Sequence, residues 1–167
     1  MKRILPGIIA VLLISNIKTI AQTVTDPLIT KWKLNTTNNM INGILTDVSA
    51  VNYDANYVYV STSGIPSYYS FNNPNVNDAA DGHFVWKFTR NPQQNTGTAT
   101  SALTGGQMGA FIDGDPIFNA EDARSYQNAN IWHQLAFYFE FSDFDTTWGH
   151  STPTNVYHHH VVNLSLV

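Results

Sequence analysis

A chain of 167 residues with 8 Lys and Arg against 12 Asp and Glu has a formal charge of −4, and it contains no cysteine. That balance disfavours a nucleic-acid partner, because phosphate binding is driven largely by Lys and Arg contacts, and the missing thiols exclude disulfide staples and thiolate metal sites. Nine Phe, eight Tyr and four Trp supply much apolar area from few residues, so stability has to come from the core.

Lys2 and Arg3 precede an apolar stretch, Ile4 to Ile14, broken only by Pro6 and Gly7, and Thr19-Ile20-Ala21 places small residues before a cut. This is the pattern of a secretory signal peptide over residues 1–21, and the run is shorter than the roughly 20 apolar residues of a membrane span. The expected location is extracytoplasmic: periplasm, cell surface or extracellular. Without Lys2, Arg3 and Lys18 the mature part keeps five basic residues against all twelve acidic ones, a formal charge of −7. Residues 22–167 then suffice for a single domain, since such domains commonly run about 100–150 residues.

The elements of that domain are short and separated by turn-forming runs such as Thr36-Thr37-Asn38-Asn39, Asn72-Asn73-Pro74-Asn75 and Asn91-Pro92-Gln93-Gln94-Asn95. Asn56-Tyr57-Val58-Tyr59-Val60-Ser61 is rich in aromatic and β-branched residues and predicts a strand. His83 to Thr89 predicts another, with Phe84, Trp86 and Phe88 on one buried face and His83 on the solvent side. Gly109-Ala110-Phe111-Ile112 and Ile117-Phe118 flank Asp113-Gly114-Asp115-Pro116, which reads as two short strands joined by a tight turn, with Phe111, Ile117 and Phe118 in the core. A calcium loop is the alternative for the two aspartates, but the later acidic ligand is missing, since Gln127 does not supply one.

Asn119, followed by Glu121 and Asp122, predicts the start of a short helix, with an oxygen cap and acidic residues at the positive end. Ile131 to Phe141 fits either period: Trp132, Leu135, Ala136 and Phe139 match a helix face, whereas Leu135, Phe137, Phe139 and Phe141 match a strand face. The aromatic content favours a strand for the second half. His133 in this stretch is open between a core histidine and a site residue. The fold class expected is mainly β, an antiparallel sheet or sandwich-like arrangement with one or two short helices.

Three of the six histidines form one tripeptide, His158-His159-His160, and a fourth is His150. If Val156 to Val161 is extended, alternation puts His158 and His160 on one face, and His159 on the other with Tyr157 and Val161. Two imidazoles spaced in this way can share a metal, and the next ligand has to come from elsewhere. His150, after the flexible Gly149, is the nearest candidate, followed by Asp143, Asp145 and His133. Three consecutive histidines are not by themselves a specific metal signature.

The order of motifs is more specific. Gly109, Asp113-Gly114, Pro116-Ile117-Phe118-Asn119, Asp122-Ala123, Ser125-Tyr126, Asn128, Trp132, Glu140, Phe144-Asp145, Gly149-His150, Pro153 and Tyr157-His158-His159-His160 together resemble the YHYH domain family, over roughly Gly64 to His160. The family takes its name from a Tyr-His-x-His motif. The resemblance implies a secreted protein with no established reaction. It also implies a cysteine between the Phe-Asp and Gly-His pairs and another after the histidine motif, where this chain has Thr146-Thr147-Trp148 and Asn163-Leu164-Ser165. Family domains tend to continue into a second half, so the resemblance reads this chain as a short or C-terminally truncated member.

Three function classes follow. The first is a metal-binding protein in which His150, His158 and His160 hold copper or zinc, with Asp145 as a further ligand or as a partner that orients them, and calcium disfavoured. The second is a metal-dependent enzyme with the same ligands, either a hydrolase or a copper oxidase. The third is a surface or adhesion module whose protein or glycan partner the sequence does not name. No P-loop, dinucleotide fingerprint or Gly-x-Ser-x-Gly elbow supports nucleotide or serine-hydrolase chemistry.

Overall fold

The computed structural model describes residues 31–69, 77–93, 97 and 106–161. The expected signal peptide over 1–21, the turn at 72–75 and the apolar ending at 162–167 lie outside the described residues. The described part is mostly β, in several small sheets, and none of its helices is long and apolar enough to cross a membrane.

Strands β3 (Val48–Tyr53), β4 (Tyr57–Thr62) and β5 (Phe84–Thr89) form an antiparallel sheet in the order β3-β4-β5. Alternation sets its inner face. Val58 lies opposite Phe88, Val60 opposite Trp86 and Thr62 opposite Phe84. The core cluster of Val48, Val58 and Val60 packs against Trp32, Val51, Trp86 and Phe88. Phe84, Trp86 and Phe88 face inward as the spacing predicted but stay half-buried, while His83 is exposed. A short hairpin, β1 (Met40–Ile41) with β2 (Ile44–Leu45), precedes this sheet.

The second sheet runs β10-β11-β7-β6, built from β6 (Gln107–Ala110), β7 (Pro116–Phe118), β10 (Gly149–Ser151) and β11 (Tyr157–His159). The expected turn between β6 and β7 is present, with Gly114 at φ +87°. A Cβ there would lie 2.5 Å from Thr62 Oγ1, so glycine serves both the turn and the packing of the turn on β4. Trp86 Nε1 donates to Gly114 O at 3.0 Å, and Lys33 N donates to Ile112 O at 2.8 Å, which ties the two sheets together. One pairing departs from the antiparallel expectation: β11 lies parallel to β7, with His159 beside Ile117. A second apolar cluster, Ile65, Tyr69, Ala79 and Tyr157, joins the segment after β4 to β11. Phe111, Ile117 and Phe118 are half-buried.

Two expectations are corrected. No helix starts at Asn119; Glu121–Ser125 is strand β8, paired with β9 (His133–Leu135). The Asn119 side chain does accept the Glu121 N–H at 3.2 Å, but the same oxygen chemistry serves an Asx turn that leads into a strand, and no helical apolar period follows it here. The 131–141 stretch is strand in its first half and helical in its second, with a single turn at Ala136–Phe139 and a 3-10 turn at Phe141–Asp143. Of its crowded rings only Phe137 gathers several aromatic neighbours, within 5.7 Å of Phe141, Phe144 and Trp148 by ring centroid, whereas Tyr138, Phe139 and Phe141 remain exposed.

Candidate metal centre

The hairpin β10–β11 builds the centre. Its antiparallel register sets His150 directly opposite His158, so both project from the same face, and alternation adds His160 two residues on. Between the strands, Thr152 and Val156 close the turn by a 2.9 Å backbone bond, with Asn155 at φ +67°. At the other end, Asp145 fixes the approach to β10: Oδ1 accepts from Thr147 N, Thr147 Oγ1 and Gly149 N at 2.8, 2.7 and 3.1 Å, and Oδ2 accepts from the Tyr157 hydroxyl at 2.6 Å. Gly149 is forced by proximity. A Cβ there would collide with the Tyr157 hydroxyl and lie 2.8 Å from His159 Cε1.

His150, His158 and His160 each bring one ring nitrogen to within 4.8 Å of the others. His158 Nδ1 lies 3.1 Å from Val156 O and His160 Nδ1 lies 2.5 Å from Asn119 O. A carbonyl oxygen only accepts, so each Nδ1 is the protonated donor, and in the neutral rings both Nε2 atoms carry bare lone pairs. Those two Nε2 atoms face each other at 2.9 Å. Neither ring nitrogen of His150 has a hydrogen-bond partner, although Nε2 lies 3.5 Å from Glu140 Oε2. The same Glu140 oxygen is 3.2 Å from His160 Nε2.

The surroundings are apolar. Phe118 packs on His158 at 4.0 Å between centroids and Phe144 meets His150 edge-on at 4.8 Å. The three imidazole side chains are nearly inaccessible to solvent; Glu140 is the member that reaches it. Desolvation is the main reason why His150 is held down to about 4, against the pull of Glu140, and why His158 is held down to about 2. Both are therefore neutral at physiological pH, the form that donates a lone pair to a metal.

His159 takes the opposite face, as alternation predicts. It is completely buried, edge-on to Phe111 and Tyr157, with Nε2 2.9 Å from Asp115 Oδ2. Desolvation raises Asp115 to about 7, and the nearby His159 opposes that rise. Burial and the Asp145 carboxylate both push the Tyr157 hydroxyl well above its usual range.

Residues 85–167 match the family described as YHYH protein. That part of the chain is similar to the family. The match starts at Val85, within β5, later than the Gly64 suggested by the motif order, and it takes in every residue of the centre. Among curated proteins and among solved structures nothing matches.

Within the YHYH motif, Tyr157-His158-His159-His160, His158 and His160 thus share the centre, while Tyr157 and His159 meet each other on the opposite face. The histidines expected to gather, His150, His158 and His160, do so. Asp145 is engaged with Tyr157 and the turn before β10 and lies outside the group of three. Asp143 also lies outside it, with Oδ1 accepting from Ser142 Oγ. His133 points elsewhere, its Nδ1 3.0 Å from Asp122 O and its Nε2 3.1 Å from Asn130 Oδ1. Sequence reasoning missed Glu140 as a neighbour of the histidines. The single helical turn Ala136–Phe139, closed by Glu140 N to Ala136 O at 2.8 Å, brings it there, and no periodicity announced that turn.

Proposed function

We propose that this chain is an exported metal-binding protein whose centre, formed by His150, His158 and His160, holds copper or zinc. The observation that carries the reading is the 2.9 Å approach of the His158 and His160 Nε2 atoms in a site nearly closed to solvent, with both Nδ1 atoms committed to backbone carbonyls. Two facing lone pairs repel unless a proton or a cation lies between them. Zn–N bonds of about 2.0–2.1 Å hold tetrahedral ligand atoms roughly 3.3 Å apart, so a shift of a few tenths of an ångström opens the pair to such an ion.

Imidazole donors suit copper and zinc, while calcium prefers oxygen. Glu140 supplies an oxygen beside His150 and His160. Asp145 orients the ligands rather than joining them, because its Oδ1 holds Gly149 N next to His150. Burial of all three histidines supports holding a metal over turning over a substrate at it. Export rests on the Lys2-Arg3 start, the apolar stretch and the small residues before Gln22.

Titration calorimetry of copper or zinc into the metal-stripped protein tests the centre. His150→Ala, His158→Ala and His160→Ala should each weaken the tight site by more than about tenfold, the scale on which even partners outside the ligand set act. His159→Ala should leave that site's affinity nearly unchanged. No binding by the parent, or equal loss for all four variants, would overturn the reading.

A further inference from the structure

The imidazoles of the centre are nearly closed to solvent, and Glu140 takes the open side: its side chain is 26% exposed, against 6% for His150 and 4% for His160. One of its oxygens nonetheless points inward. Oε2 lies 3.2 Å from His160 Nε2 and 3.5 Å from His150 Nε2, is itself buried and accepts no hydrogen bond. Among the described residues no Lys or Arg pairs with it.

The backbone holds Glu140 there. Ala136, fully buried, donates its N–H to Ala120 O at 2.9 Å, and the turn closes by Glu140 N to Ala136 O at 2.8 Å. The neighbouring carbonyl, Asn119 O, accepts from His160 Nδ1. The segment Asn119-Ala120 thus fixes both the His160 ring and the turn that carries Glu140. A carboxylate on a surface turn keeps its oxygens in water, because burying one without a donor costs free energy. Here the flanking Phe139 and Phe141 are exposed and the carboxylate oxygen is turned in.

We propose that Glu140 is the specificity-determining residue of the histidine centre: it closes the solvent side with a negative charge, so that the centre takes a divalent ion, zinc or copper(II), in preference to copper(I). The inference rests on the three histidines being the metal site. Neutral imidazoles suit zinc and copper alike. A carboxylate attracts a dication twice as strongly as a monocation at the same distance, and salt screens that difference little in a buried site. Glu140 stands outside the group in which every ligand atom lies within 4.8 Å of the others, so it acts through charge at close range and no fourth bond is required.

The full chain, stripped of metal, is titrated with zinc chloride and, separately, with copper(I) kept reduced by ascorbate, each in competition with a chromophoric chelator. Glu140→Gln, nearly isosteric and uncharged, should weaken zinc binding at least about tenfold and leave copper(I) affinity nearly unchanged. Glu140→Ala, which buries no amide, should show the same split and serves as the test if the Gln variant folds poorly. Equal loss for both ions, the result of a merely structural role, would overturn the proposal, as would zinc affinity equal to the parent's. The centre itself is judged separately, on whether His158→Ala weakens zinc binding. If that variant loses zinc and Glu140→Gln does not, the centre stands and Glu140 has no part in its selectivity.

Discussion

The two sheets differ in what they bury. The β3-β4-β5 sheet buries mainly carbon, with Val48, Val58 and Val60 under Trp32, Trp86 and Phe88. The two buried charges at its strand ends have protein partners, Asp47 with Lys33 and Arg90 with Asp54 O. The β10-β11-β7-β6 sheet and the turns beside it bury Asp113, Asp115, Asn119, His150, Ser151, His158 and His159. Apolar burial is indifferent to pH and ligands, whereas buried ionisable groups stabilise only when they are paired, neutral or bound to a cation. The first sheet is thus a platform, and the second is a structure whose stability depends on the charge state of the groups it buries.

The largest blow to that contrast is His159→Ala. It removes the imidazole that faces the Asp115 carboxylate and leaves Asp115 buried without it, a change worth about 3–5 kcal/mol when one partner of a buried pair is deleted. Because Asp115 in the fold prefers its proton up to about 7, the loss should be greatest above neutrality and smaller in acid. Val60→Ala in the other sheet should cost roughly 2 kcal/mol by lost burial and the cavity left behind, equally at all pH values. Urea denaturation of both variants at pH 5 and pH 8 checks the contrast; equal pH behaviour would refute it.

Next in size is Gly149→Ala. The added methyl would collide with the Tyr157 hydroxyl, the group that holds Asp145 Oδ2 at 2.6 Å. Overpacking of this kind costs about 1–3 kcal/mol, and the damage should extend to the metal centre, since Gly149 leads directly into His150. Thermal unfolding with and without zinc measures both effects. A variant that melts like the parent and binds zinc like the parent would show that the tight approach of β10 to β11 is dispensable.

The pH profile separates the sheets without mutation. His150 and His158 are held in the fold at about 4 and about 2, below the unfolded value near 6.5. As pH falls below 6.5 the unfolded chain takes up protons that the native state refuses, so stability is lost through the window from 6.5 to about 4 and onward toward 2. Asp115 runs the other way: its folded value of about 7 exceeds the reference of 3.8, so its contribution is complete below 3.8 and is lost as pH rises to 7. Burial raises the Asp113 carboxyl as well, so the two aspartates oppose the two histidines there, and the histidine part of the profile is a limb on which stability rises with pH. Replacing His158 by Gln should flatten that limb, and denaturation midpoints at half-unit pH steps would show it. The low histidine values also mean that proton competition with bound metal should set in well below 6.5, the value of a free imidazole.

Legibility in the sequence followed the same division. Strands β4 and β5 were readable because one strong rule, period two in β-branched and aromatic residues, decides an apolar sheet. The histidine pair 158/160 was readable by the same rule, and His150 by its nearness along the chain. What stayed hidden depended on non-local placement. Glu140 arrives on a single helical turn that a run of aromatics disguised as strand, and Asp113 and Asp115 look like surface turn residues until Thr62 and Trp86 are seen packed over Gly114. The false helix at Asn119 shows that a capping oxygen records a need to satisfy N–H groups, not which element follows.

The smallest effect belongs to a histidine that lies in neither environment. His83 precedes β5 with its side chain 83% exposed and Nδ1 3.3 Å from Asp81 Oδ1, an exposed contact of the kind that contributes little. Its φ of +47° is tolerated best by Asn and Asp among the non-glycine residues, so His83→Asn removes the imidazole without adding backbone strain. Stability should stay within about 0.5 kcal/mol of the parent, and zinc affinity and the acid limb of the pH profile should not move. A change in either would mean that imidazole content, rather than burial at the β10–β11 hairpin, governs metal binding and acid sensitivity, and the contrast between the two sheets would lose its basis.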